Sequence, residues 1–274
     1  MPSQRLTRRN PTRQSRQALA TRSTDSSGPQ IATTFPFEQS AELIAGDAGA
    51  AYDNGNGSFT VPMPQNDGSL VIGIVIESAD APTEYAFELK VPSGATLKPL
   101  EQGVGLYDSN GNLFGGVAPP WARDAAGQAI DTHLEIRGDT VVQTVAHRSG
   151  QIAYPVSADP WLGLDLLDWT SRSDCPNSRC PGRSSGYVIS AGLSAWGVYW
   201  RYTGSGTAIL NGSGWSELVS KRPAADNNNN RMRPQWTCHA IGAYPPLTGG
   251  SWDLESWRPE IWDSAVWWQS RCNW

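Results

Sequence analysis

The residues of this chain that could perform acid–base chemistry lie near its carboxyl end. Asp253 and Glu255 are two positions apart, and His239 precedes them. In an extended segment, side chains two positions apart share a face, so both carboxyl groups would point away from Trp252. Such a pair can act as acid and base in glycoside hydrolysis, where the separation decides the mechanism. The structural alternative is that Glu255 pairs with Arg258 and that His239 forms hydrogen bonds in a polar rim.

The same region is rich in tryptophan. Twelve of the 13 Trp residues lie after residue 160. Because Trp is large and seldom fully buried, some of these side chains are expected at the surface. Exposed aromatic faces of an exported protein can bind sugars, lipid headgroups or partner proteins, whereas the alternative is a core built on Trp instead of Leu. The candidate binding residues are Trp236, Trp252, Trp257 and Arg258.

All four cysteines also lie in this half of the chain. Four residues separate Cys175 from Cys180, and Cys238 is far from Cys272. Zinc sites usually pair Cys residues two positions apart, so we expect no metal and no cofactor. In an exported protein this even count would favour disulfides Cys175–Cys180 and Cys238–Cys272, with cross-pairings and free thiols as alternatives. Oxidation of Cys238 would disfavour it as a nucleophile beside His239.

The middle of the chain has the pattern of a β-sandwich or partly closed barrel. Short β-rich runs alternate in polarity and are separated by Gly, Pro, Asn or Asp. Seven strands are predicted: Ser58–Met63, Ser69–Glu77, Tyr85–Val91, Gly103–Tyr107, His133–Arg137, Thr140–Ala146 and Gln151–Val156. We therefore expect a mainly β protein with a β-sandwich-like module over residues 53–160.

The shift in Trp and Cys content predicts a boundary near Pro160 and a second domain over 161–274. We expect this domain to be a disulfide-linked, Trp-rich β domain with a short C-terminal helix. The predicted strands are Gly186–Ser190, Trp196–Thr203 and Thr207–Leu210. The predicted helices are Trp161–Trp169 and residues 259–271, and the Asn-rich run 226–230 is predicted to be an exposed loop.

Composition and charge exclude several classes of protein. The net charge is −5, although residues 1–24 contain six Arg and no acid. The start of the chain lacks hydrophobic periodicity, so we predict a disordered basic tail and linker over 1–52. The longest apolar run, Leu70–Ile76, is far shorter than the roughly 20 residues of a membrane span. We expect no nucleic-acid partner and no membrane span.

No apolar stretch of roughly 7–15 residues follows the basic start, as an export signal would require. Either the protein stays inside the cell, or the start is misassigned or the signal is missing.

The middle part resembles a module of exported actinobacterial proteins, where it precedes C-terminal domains of several kinds. Three blocks carry the resemblance: Pro119–Gly127, His133–Asp139 and Ala153–Pro160. The resemblance implies export and a role in processing or presentation.

The C-terminal part resembles the bacterial domain of unknown function family 2599. The resemblance is carried by Gly214–Val219, Gln235–Ala240, Trp252–Pro259 and Cys272–Asn273. The family reads Trp-Asn-Leu-Glu-Pro-Trp-Arg-Pro and ends in Cys-Asn-Pro, and this chain departs from it at Asp253, Ser256 and Trp274. The resemblance implies secretion and a Cys238–Cys272 bridge, but the family has no established activity.

These observations support three hypotheses for an extracellular or cell-envelope protein. The first is a secreted protein whose C-terminal domain binds cell-envelope carbohydrate or a protein partner. The second is an envelope-acting hydrolase or antibacterial effector that uses Glu255 and Asp253. The third is a purely structural extracellular protein. The first is favoured because no catalytic motif of known mechanism is present.

Overall fold

The computed structural model describes residues 19–22, 30–46, 49–66, 68–242, 250–270, 272 and 274. Within them the protein is mainly β, as predicted, and contains two larger sheets followed by a small sheet with helices. The strands of the two larger sheets are β1 (Leu19–Arg22), β2 (Gln30–Thr33), β3 (Glu42–Gly46), β4 (Gly49–Asp53), β5 (Ser58–Pro64), β6 (Leu70–Ile76), β7 (Glu84–Lys90), β8 (Thr96–Leu100), β9 (Gly103–Tyr107), β10 (Leu113–Val117), β11 (Trp121–Arg123), β12 (Thr132–Arg137), β13 (Thr140–Val145), β14 (Val156–Asp159) and β15 (Trp161–Gly163).

The two larger sheets enclose one hydrophobic core. One has the order β1-β2-β7-β13-β12, and the other has the order β3-β4-β5-β6-β15-β10-β9-β8, with β14 joining β6 to β11. Every second residue of β7 is buried, including Phe87, and β6 shows the same alternation, including Ile74. Both side chains belong to the same core, so the expected β-sandwich-like arrangement is present.

Part of the predicted tail and linker forms strands. β1 to β4 lie within residues 1–52 or end next to them, and Ile31 is buried in the core. The reason is a long-range pairing, since Ala32 lies opposite Lys90 of β7, and the local sequence does not predict this partner. The basic residues 1–18 lie outside the described residues. At the other end, β15 extends the second sheet to Gly163, beyond the boundary predicted near Pro160.

The C-terminal part has more helix than the sequence predicted. Its three antiparallel strands, in the order β16-β17-β18, pack against the helical segments. These strands are β16 (Leu167–Asp174), β17 (Tyr187–Leu193) and β18 (Trp252–Glu255). The helices are α1 (Ala195–Arg201), α2 (Gly206–Ile209), α3 (Trp215–Lys221), α4 (Asn229–Ile241) and α5 (Ser264–Ser270), with a π-helical turn at Leu210–Gly214 and a 3₁₀ turn at Pro223–Asn228.

Several local predictions in this part were wrong. The strand predicted at Trp196–Thr203 is mostly α1, because the Oγ of Ser194 caps the helix by accepting the N–H of Gly197. The strand predicted at Thr207–Leu210 is helical, and the predicted loop 226–230 lies in the 3₁₀ turn and the start of α4. The helix predicted at Trp161–Trp169 is instead β15 and the start of β16.

The two parts of the protein pack closely through α1. Trp196 and Trp200, one helical turn apart, are both fully buried. The indole of Trp196 occupies the space beside Gly163 of β15, where an added Cβ would lie 2.2 Å from the ring. The same indole lies near Gly116 of β10. These contacts fix α1 on the β-sandwich.

The C-terminal helix is confirmed in a shorter form. α5 covers Ser264–Ser270 of the predicted 259–271, and the backbone N–H of Cys272 donates to the carbonyl of Trp267. No helix among the described residues is long and apolar enough to cross a membrane.

Candidate functional site on the outer face of the small sheet

Two disulfides stabilise the C-terminal part, with the predicted pairing. Cys175 is bonded to Cys180, and Cys238 is bonded to Cys272. Cys238 lies on α4, so the second bond joins this helix to the segment after α5. Both cysteines of that bond are buried, and oxidation removes Cys238 as a nucleophile.

Trp236 and Trp252, two of the predicted binding residues, belong to the core. Their exposed fractions are 0% and 1%. Their rings contact each other between α4 and the inner face of the small sheet, and the Nε1–H of Trp236 donates to the carbonyl of Leu210 at 2.9 Å. Neither side chain can therefore contact a ligand at the surface. The Trp core considered as the alternative is present here.

His239 does not lie in a polar rim. Its ring stacks on Trp252 with a centroid distance of 5.4 Å. Burial, followed by the charge of Arg201, lowers the pKa of His239 to about 4, although Asp253 opposes the shift. Its Nδ1 has no hydrogen-bond partner among the described residues. His239 is therefore neutral at neutral pH and packed as an aromatic ring.

Asp253 and Glu255 share one face of β18, opposite Trp252 and Leu254, as predicted. Each carboxylate is paired with an arginine. Asp253 Oδ1 accepts from Arg179 at 3.2 Å, and Glu255 pairs with Arg258. The Glu255–Arg258 pair is the structural alternative that the sequence allowed. Both carboxylates of this face therefore form ion pairs.

A bulge in β16 brings an indole to the outer face, which we define as the face of the small sheet opposite Trp252. Leu167 lies opposite Leu193, but Trp169 lies opposite Gly192, so Asp168 is an extra residue. One extra residue reverses the faces of the side chains that follow it. Leu167 therefore points into the core, whereas 40% of the Trp169 surface is exposed.

The indole of Trp169 lies over Gly192 of the central strand. A Cβ added at Gly192 would lie only 2.3 Å from Nε1 of this indole. Glycine is thus required for the close approach of the ring to the sheet. One side of the indole is supported by the backbone, and the remainder faces solvent.

A polar row lies next to this indole. Ser171, Ser190 and Asp253 are opposite one another across the three strands. The guanidinium of Arg179 donates to Ser190 Oγ at 2.8 Å and to Asp253. Ser190 is fully buried, whereas the Arg179 and Asp253 side chains are 43% and 41% exposed. We define the outer-face site as Trp169, Ser171, Arg179, Ser190 and Asp253.

The loop closed by the Cys175–Cys180 disulfide positions Arg179. Within this loop the backbone N–H of Arg179 donates to Asn177 Oδ1 at 2.7 Å. The side chain of Asn177 also donates to the carbonyl of Asp174, at the end of β16. The loop therefore holds a cationic side chain against the outer face.

Trp257 and Arg183 lie at the opposite end of the central strand. Trp257 contacts Gly186, where an added Cβ would lie 2.9 Å from the indole. The guanidinium carbon of Arg183 lies 5.4 Å from the centroid of the same indole. Trp257 is partly exposed, so among the predicted Trp residues it alone retains surface that a ligand can reach.

The sequence did not identify Trp169, Arg179 or Ser190 as site residues. Each comes from a different segment, and their meeting depends on the bulge and on the disulfide loop. The spacing of Cys175 and Cys180 around Arg179 was the only local signal. Among the described residues, no group of three potential metal ligands comes together.

Comparison with known proteins supports the C-terminal resemblance. Residues 195–274 match the model of a family described as a protein of unknown function, DUF2599. The matched range includes Asp253 and Trp257 but not Trp169 or Arg179, which lie before it. No curated protein and no solved structure matches the chain. The resemblance of the middle part to exported actinobacterial modules stays a prediction.

Proposed function

We propose that this protein binds carbohydrate of the cell envelope through the outer-face site, without chemical turnover. The observation that carries the proposal is the half-exposed indole of Trp169 beside the fixed Arg179–Asp253 pair. Sugars present apolar C–H faces together with hydroxyl groups. An indole can cover the apolar face, and a carboxylate and a guanidinium can accept from and donate to the hydroxyls.

The fixed geometry of these polar groups favours binding. Arg179 is held by Ser190 and by the disulfide loop, so little side-chain freedom is lost when a ligand arrives. Sites for small molecules commonly combine an apolar surface with a few oriented polar groups. Here both components lie next to each other on a rigid sheet.

An extracellular or cell-envelope location supports this function. Disulfides persist in oxidising compartments, and this protein has two of them. The resemblance of residues 53–160 to a module of exported proteins agrees with this location. The β-sandwich would then present the C-terminal part to the envelope through the contacts of α1.

The test compares the full chain with Trp169→Ala in pull-down from insoluble envelope polysaccharide. About 80–100 Å² of the indole is open to solvent if a Trp side chain has ~200–250 Å², so covering it contributes roughly 2–2.5 kcal/mol. The expected loss of affinity is therefore about 30- to 60-fold. Trp121→Ala is the matched control, since Trp121 is 47% exposed but lies on β11 of the sandwich.

Two results would contradict the proposal. One is binding that is unchanged in Trp169→Ala, because the outer face would then not be the contact surface. The other is release of soluble sugar that disappears in Glu255→Gln, because that would indicate a hydrolase.

A further inference from the structure

Resting on the proposed function, we infer that the ligand is an anionic oligosaccharide chain that crosses the outer face from Trp169, over the exposed Arg179–Asp253 pair, to Arg183. The inference concerns the length and the charge of the ligand. It follows from the distance between two aromatic contacts, at Gly192 and at Gly186 just before β17, and from Arg183, for which no carboxylate of the described residues lies within ion-pair distance.

The length follows from the positions of two glycines. Trp169 lies over Gly192 of β17, and Trp257 contacts Gly186, the residue just before the other end of that strand. Six residue steps of extended chain span roughly 20 Å. A single sugar ring is much shorter than this distance, so a ligand that reaches both indoles must contain several linked rings.

The contacts between the two ends are polar and already neutral. Arg179 is paired with Asp253, and Arg258 is paired with Glu255. These pairs offer hydrogen bonds to hydroxyl groups but no net charge. The middle of the surface therefore suits uncharged parts of a glycan chain.

Arg183 is the position at which a ligand's negative charge would bind. Among the described residues, no carboxylate lies within ion-pair distance of it. The segment from Cys175 to Gly186 contains two arginines and no acidic residue. The indole of Trp257 orients the guanidinium by a cation–π contact but leaves its formal charge uncompensated. A carboxylate or phosphate on the glycan would supply the missing partner.

The test measures binding of the full chain to soluble oligosaccharides by calorimetry. The probes are an oligogalacturonate, a neutral glucan oligomer of the same length and free galacturonate. The oligogalacturonate should bind roughly three- to tenfold more tightly than the neutral oligomer, as expected for one partly exposed charge pair. Added salt should reduce this preference, and free galacturonate should bind much more weakly because it cannot reach both ends.

The variant Arg183→Gln should abolish the preference, so that it binds the two oligomers with equal affinity. Arg123→Gln is the matched control, since Arg123 is an exposed arginine of β11 in the sandwich. The inference is overturned if Arg183→Gln keeps the preference, or if both oligomers bind the wild type equally.

Failure of this inference is distinguishable from failure of the proposed function. If the neutral oligomer binds and Trp169→Ala weakens that binding, the outer-face site stands whatever Arg183 does. If neither oligomer binds while binding to envelope polysaccharide still depends on Trp169, the inference alone fails, and if Trp169→Ala leaves all binding unchanged, both fail together.

Discussion

The close contact between Gly192 and Trp169 gives a prediction that can be tested without a ligand. In Gly192→Ala, the new methyl group would lie 2.3 Å from Nε1 and 2.7 Å from Cε2 of the indole. Non-bonded heavy atoms prefer about 3.5–4.0 Å, so the ring must move by roughly 1 Å or more, or swing away from the sheet. Atoms forced into a packed contact typically cost about 1–3 kcal/mol.

Moving the Trp169 indole away from the sheet has a free-energy cost similar to that of the steric contact. About 60% of the indole surface is covered in the native state, because 40% is exposed. This corresponds to roughly 120–150 Å², or about 3–4 kcal/mol if all of it were lost to solvent. We therefore expect the free energy of unfolding to fall by about 1–3 kcal/mol, and Trp169 to become more accessible.

The measurements are denaturant unfolding and quenching of Trp fluorescence by acrylamide. Gly212→Ala is the matched control, because a Cβ added at Gly212 meets no described atom within 4 Å apart from its chain neighbours and the backbone of its own helical turn. Unchanged stability and unchanged quenching in Gly192→Ala, relative to this control, would refute the proposed position of the indole over the strand. If the oligosaccharide binds, its affinity should fall in Gly192→Ala together with the change in quenching.

Three further perturbations test the packing of the protein by its free energy of unfolding. Replacing Cys238 and Cys272 by Ser should destabilise the protein by roughly 4 kcal/mol, from the loop entropy of a closure spanning 34 positions. Lys221→Met should cost about 3–5 kcal/mol, because it leaves the buried carboxylate of Glu217 without its cation at 2.8 Å. Burial raises the pKa of Asp159 to about 6, so its contribution to stability is present below pH ~4 and lost as pH rises through ~6. Asp159→Asn should therefore be roughly 1–3 kcal/mol more stable than wild type at neutral pH and nearly equal to it at pH ~4.

Each of these perturbations has a matched control. The double Ser variant at Cys175 and Cys180 should lose only about 2 kcal/mol, since its loop is shorter. Lys90→Met and Asp139→Asn alter exposed side chains and should change stability little. Equal losses in the free energy of unfolding for the two double variants would contradict the assumption that loop entropy determines the stabilisation by each disulfide. If Lys221→Met is as stable as the wild type, the Glu217 carboxylate does not need this cation. If the free energy of unfolding of Asp159→Asn keeps the same pH dependence, another group is responsible for it.

Much of the sandwich could be predicted from the sequence because the alternation of apolar and polar residues there fits a strand and does not fit a helix. In Tyr85–Leu89 every second side chain is apolar, and β7 buries those side chains. The spacing of apolar residues near Trp196 fits both a strand and a helix. Trp196 and Trp200 fit an alternating strand, but they also lie one turn apart on a helix, and the cap at Ser194 and the space beside Gly163 select the helix.

The candidate site was harder to predict because its parts come from separate segments. Asp253 and Glu255 were correctly placed on one face, since this follows from strand geometry alone. The partner of Asp253 is Arg179, from a distant loop. Trp236 and Trp252 were expected to bind a ligand, but an indole looks the same in the sequence whether it is buried or exposed.

The sequence by itself determined the mainly β character, the expectation of disulfides from the even count of cysteines, and the concentration of aromatic residues near the carboxyl end, whereas the structure selected the pairing of the cysteines. These depend on composition and on short-range periodicity. Only the tertiary structure decided which indoles reach solvent and which charges meet. Both depend on the register between strands and on contacts between segments far apart in the chain. The single extra residue at Asp168 shifts the register and so changes the face on which the neighbouring side chains lie.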